Sequence, residues 1–93
     1  MIIGTCKVTL KAEWVFSLKD KRSIVKSLTE KIRHRFNVSV AEVECNDKHQ
    51  IIVIGIACVT NQTAHANSII NNVIDFIENN TDAVVEDCII EIL

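Results

Sequence analysis

The chain has 93 residues, 48% of them apolar, with ten Lys and Arg against twelve Asp and Glu for a net charge of −2. That size makes one small domain over residues 1–93, too apolar for a disordered chain and able to bury about 60–65% of its extended surface. The longest apolar run, Ile51 to Val59, is far short of the roughly 20 residues a membrane helix needs. Met1-Ile2-Ile3 enters an alternating segment with no basic n-region or cleavage site, so a cytoplasmic protein that makes no membrane contact is expected.

Residues 2 to 10 alternate, with Ile2, Cys6, Val8 and Leu10 on one side and Ile3, Thr5, Lys7 and Thr9 on the other, which predicts a strand with one core face. After a connection from Lys11 to Phe16, Ser17 and Asp20 form an acidic version of the capping box. The helix they open is expected to run to about Phe36. At 100° per residue, Ile24, Val25, Leu28 and Ile32 fall in one quadrant with Phe36 at its margin, and these should face the core. Val38 to Cys45 alternate again, with Ser39, Ala41, Val43 and Cys45 on one face and Val38, Val40, Glu42 and Glu44 on the other. The polar turn Asn46-Asp47-Lys48 leads into Gln50 to Thr60, apolar on both faces as suits a central strand. From about Asn61 to Asn79, Ala66, Ile69, Ile70, Val73 and Ile77 define a second helical face. In a last strand, Cys88, Ile90 and Ile92 alternate with Asp87, Ile89 and Glu91.

The order is therefore β-α-β-β-α-β. Right-handed crossovers give an α+β, ferredoxin-like sandwich: a four-stranded antiparallel sheet of order 4-1-3-2 with two helices on one face. On that sheet the face away from the helices is expected to carry Glu42, Glu44, Asp87 and Glu91 beside Ile3, Val38, Val40 and Ile89. An acidic, apolar surface of this kind repels phosphate, and Trp14, Phe16, Phe36 and Phe76 all lie outside the strands, which argues against base stacking on the sheet. It suits a protein contact instead, and a homo-oligomer is expected.

The charges are unevenly placed. Residues 1–37 hold nine of the ten Lys and Arg against three acids, and residues 38–93 hold one against nine. Seven of the cations fall in the first helix and its flanks. Lys19, Arg22, Lys26 and Arg33 project away from the core quadrant, with Lys21, Lys31 and Arg35 at the margins, whereas the outer face of the second helix has no Lys or Arg. Two readings are open. Lys19, Lys21, Arg22, Lys26, Arg33 and Arg35 form a nucleic-acid-binding stripe that neutralises backbone phosphates, giving salt-dependent contact with RNA or the ribosome; or they make a solvated helix face whose last-turn cations complement the helix dipole.

Catalytic and cofactor motifs are missing. With Gly4 and Gly55 the only glycines, no phosphate-binding GxxxxGK[ST], GxGxxG or GxxG loop exists. The four cysteines, Cys6, Cys45, Cys58 and Cys88, show no metal-ligand spacing and sit in apolar strand patterns, where free thiols pack as small apolar groups. His34, His49 and His65 lie on separate elements. No nucleophile, base and orienting group line up, so a non-enzymatic protein without cofactor or metal is expected.

The segments Ser17-Leu18-Lys19-Asp20-Lys21-Arg22, Lys26-Ser27-Leu28 and Arg35-Phe36-Asn37-Val38-Ser39-Val40-Ala41-Glu42-Val43, with the opening MIIG and the later VTNQTAH, closely resemble the YlxP-like family of small bacterial proteins. The match runs nearly the whole chain. The resemblance implies a ferredoxin-like fold, no known activity, and a ribosome- or RNA-linked role, because genes of that family often lie among genes for translation. The chain departs from the family's pattern at His49-Gln50, where an aromatic is common, and at Glu13-Trp14-Val15, where a Pro-Gly style loop is common.

Overall fold

Alternating apolar side chains lay down four strands, and 3.6-residue periodicity two helices, over residues 1–93 of the computed structural model. In chain order they are β1 (Ile2–Lys11), α1 (Leu18–Arg35), β2 (Ser39–Glu44), β3 (Ile51–Thr60), α2 (Thr63–Asn79) and β4 (Val84–Ile92). The strands form one antiparallel sheet of order β2-β3-β1-β4, the expected 4-1-3-2 order seen from the opposite edge. Ser17 has extended backbone and its hydroxyl accepts the Asp20 N–H at 3.1 Å, satisfying one of the free amides of α1.

The core lies between the helices and one face of the sheet. Cys6, Val8 and Leu10 of β1 and Ile52, Ile54, Ile56 and Cys58 of β3 meet Val25, Leu28 and Ile32 of α1 and Ala66, Ile70, Val73 and Ile77 of α2. Small residues let α2 approach β1: a Cβ on Gly4 would stand 3.1 Å from both the Ala66 Cβ and the Cys58 Sγ.

One expected strand face is inverted. Val40 and Glu42 pair with Ile56 and Ile54, both core residues, so Val40 is buried under the helices and Glu42 points toward α1. The register then slips, leaving Val43 unpaired and setting Glu44 against Val53. Such a bulge returns the chain to the open face one residue early, so of the two glutamates only Glu44 lies there. Ser39 and Ala41, expected toward the core, pair with Ala57 and Gly55 on the open side. Val43 lies over Gly55, where a Cβ would stand 2.8 Å from its Cγ1. A second slip, in β4, leaves Glu86 unpaired between Val85 and Asp87. The four cysteines are free thiols, but Cys45 is in a turn rather than a strand, with φ of 55°.

Candidate functional site

The six cations assigned to the basic stripe part company in three dimensions. Lys21 is withdrawn from it: its side chain is fully buried. It occupies the centre of the α1 core face, four, seven and eleven residues before Val25, Leu28 and Ile32, and a charge there must find partners. Its ammonium donates to the carbonyl oxygens of Cys45 at 2.6 Å and Lys48 at 2.5 Å. The third partner is the Glu42 carboxylate, whose buried Oε2 is 2.8 Å away. Glu42 Oε1 accepts a long bond of 3.4 Å from the Asn46 side chain. Lys21 is thus a clamp between the first turn of α1 and the β2–β3 turn, which it holds by both ends. It also braces the left-handed backbone of Cys45, together with the Lys48 N–H donating to the Cys45 carbonyl at 3.0 Å.

Lys19, Arg22 and Lys26 are exposed. Arg33 is exposed too, but its Nη2 donates to the Val40 carbonyl at 2.7 Å, which caps part of the free edge of β2. Thr29, which lies between Lys26 and Arg33 along the helix, is buried and donates its hydroxyl to the Lys26 carbonyl at 3.2 Å. The row therefore runs along the flank of α1 beside β2, not over its outermost line, where Ser23, Ser27, Glu30 and His34 project. Arg35 lies on the other flank, its guanidinium 5.9 Å from the ring centre of Phe76, which meets Phe36 edge-on at 5.5 Å. With Lys31, His34 and Asn80, Arg35 and Phe76 line an open cleft of about 490 Å³ between the helix ends.

No Lys or Arg on the surface of α1 forms an ion pair. The three salt bridges of the protein use Lys7, Lys11 and Lys21. Helix α2 has neither Lys nor Arg, and its outer face carries Asp75 and Glu78. The basic charge is therefore concentrated on one helix, where it outnumbers the two acids Asp20 and Glu30 and is tied up in no surface ion pair.

The open sheet face has a different chemistry. Cross-strand rows place Thr5, Ala57 and Ser39 side by side and next to them Lys7, Gly55 and Ala41. These small side chains leave a groove of about 580 Å³, bordered by Val43, Ile89 and Glu91. Lys7 reaches across β3 to Glu44 at 2.6 Å, and the bond to that carboxylate raises its pKa above the usual 10.5. Asp87 and Glu91 remain as acids on this face, with exposed Val59 and Ile89.

Beneath the sheet, burial pushes the Cys6 thiol from 9.0 up to about 11, and Cys88 adds to the shift. Burial raises Cys88 as well, followed by the charges of Glu78 and Asp87. Both thiols are therefore protonated at neutral pH, the form that is a poor nucleophile and metal ligand. His34 and His65 are exposed and His49 half-buried on separate elements. No group of three or more His, Cys, Asp or Glu side chains converges as a metal site would require. No helix is long and apolar enough to cross a membrane.

Residue reasoning missed the Lys21–Glu42 clamp, although a lysine at core spacing from Val25, Leu28 and Ile32 was a visible signal for a buried ion pair. It also missed Lys48, which the clamp sets beside the first turns of α1.

The family described as "Protein of unknown function (DUF503)" matches residues 3–90. An uncharacterized protein YlxP of Bacillus subtilis (strain 168) is 32% identical over 62 residues, which cover 67% of either chain. The chain belongs to this YlxP-like family of unknown function.

Proposed function

We propose that this protein, a ferredoxin-like sandwich, is a non-enzymatic module of the cytoplasm that binds structured RNA, ribosomal RNA included, through α1. The observation that carries the reading is the set of exposed cations on one helix that form no ion pair, Lys19, Arg22, Lys26 and Arg33, beside a second helix without Lys or Arg. Lys19 and Arg33 are fourteen residues apart, which spans about 21 Å at 1.5 Å per residue, enough to follow several phosphates along a backbone groove. Nothing in this geometry reads bases, so affinity should depend strongly on salt and weakly on sequence.

The test is binding to ribosomal subunits and to structured RNA at two salt concentrations, with Arg22, Lys26 and Arg33 replaced together by Glu. Losing three phosphate contacts should lower the salt slope by about 2–3. Binding that survives the triple change, or that ignores salt, refutes the reading. A second reading, a homo-oligomer joined through the open sheet face, is favoured by exposed Val43, Val59 and Ile89 on that face. A strict monomer in sedimentation at high concentration removes it.

A further inference from the structure

Phe16 is 76% exposed and takes no part in the core cluster. Its exposure has a local cause. A hydrophobic residue just before an N-cap often packs against an apolar side chain at the fourth helical position. With Ser17 as the cap, that position is Lys21, whose side chain turns inward to Glu42. Phe16 is left without a partner.

The loop that carries it is nevertheless fixed. Ala12 and Val15 are buried, and the Val15 N–H donates to the Ala12 carbonyl at 3.1 Å. The Ala12 N–H donates to the Gln50 carbonyl at 2.9 Å, and Gln50 Nε2 returns a bond to the Glu13 carbonyl at 3.1 Å. An aromatic ring on a braced loop loses little loop entropy when it binds. Three exposed cations come to the same end of the molecule: Lys19 and Arg22 in the first turns of α1, and Lys48 on the turn that Lys21 grips. Lys48 is the one Lys or Arg of residues 38–93, so the clamp brings the isolated cation of the acidic half to the basic helix.

A flat apolar ring beside cations is the arrangement that single-stranded nucleic acid meets in its binding proteins: bases stack and phosphates pair. We propose that Phe16 is a stacking platform for one unpaired RNA base, with Lys19, Arg22 and Lys48 on the flanking phosphates. The proposal rests on the assignment of α1 as the RNA-binding helix and adds the kind of RNA it prefers, one with an unpaired nucleotide at the docking point.

Two RNA probes test it, an oligouridylate single strand and a blunt-ended duplex, each titrated with the parent protein, Phe16→Ala, Phe16→Tyr and the Arg22, Lys26, Arg33 to Glu variant. Phe16→Ala should weaken single-strand binding roughly 5- to 150-fold, leave duplex binding and the salt slope unchanged, and keep the parent's melting temperature. Phe16→Tyr should restore the affinity. Equal losses on both probes, or none on the single strand, overturn the stacking role while leaving the helix assignment intact. Unchanged binding by the triple charge variant overturns the helix assignment and the stacking role with it.

Discussion

Replacing Lys21 by Met separates a structural lysine from a binding one. The thioether fills much of the same space but leaves the carbonyls of Cys45 and Lys48 without their donor and the Glu42 carboxylate without its cation. Breaking a buried ion pair from one side costs about 3–5 kcal/mol. The Glu42 side chain keeps 14% exposure, so water can reach part of the orphaned charge and the cost falls to the low end, about 3 kcal/mol. For a domain of this size that lowers the melting temperature by roughly 12–24 °C. Circular dichroism in thermal and urea melts measures it, with an unchanged urea slope showing that stability and not compactness has shifted. Adding Glu42→Leu removes the stranded charge and should recover part of the loss, the two unpaired carbonyls accounting for the rest. A Lys21→Met protein within about 1 kcal/mol of the parent would refute the clamp, as would a double variant no more stable than the single.

Gly55→Ala puts a Cβ 2.8 Å from the Val43 Cγ1 and should cost about 1–3 kcal/mol as overpacking; Val43→Ala in the same chain should restore the loss, and failure to do so would show that the cost does not arise from the Val43–Gly55 contact. Stability should fall as pH rises from 9.0 to about 11, because unfolded Cys6 releases a proton that folded Cys6 keeps, and should be independent of this group below 9.0; urea midpoints across that range check it, and Cys6→Ala should flatten the fall. In single replacements by Gln, Arg22 and Lys26 should each lower the RNA salt slope by about 1, and Arg33 and Arg35 by less.

Element order and helix faces were legible in the sequence because their periods run unbroken: Ser17 caps α1, and Val25, Leu28 and Ile32 are buried as their spacing requires. The face of β2 was not. Glu42 and Glu44 stand two apart, and strict alternation puts them together, whereas the bulge at Val43 divides them between a buried ion pair and the open sheet. A bulge leaves no mark in a hydrophobic pattern only six residues long. Lys21 was misplaced for a different reason: in a run so rich in cations it was set at the margin of the stripe although it shares its angle with Val25, Leu28 and Ile32, and its contacts with Glu42 and the turn carbonyls show that it belongs to the core face. The exposed position of Phe16 follows from the same event, since the residue that would have covered it is a lysine committed elsewhere.

The fold thus sorts the basic run by availability rather than by number. Lys21 is consumed inside, Arg33 is tied to the edge of β2, and Arg35 sits on Phe76. An arginine already donating to a carbonyl must give up or share that bond to meet a phosphate, and one lying on an aromatic face gives up that contact, so each gains less than a fully solvated cation would. Lys19, Arg22 and Lys26 have no such competing partner, and Lys48 joins them by way of the clamp. The proposed RNA-binding surface is therefore displaced toward the N-terminal end of α1, where Phe16 is also presented. Lys21 then affects binding through architecture: losing it frees the turn that carries Lys48 while leaving Lys19 and Arg22 on their helix. A binding defect in Lys21→Met that tracks its loss of stability fits that role, and a defect in a fully folded Lys21→Met protein as large as that of Arg22→Gln does not.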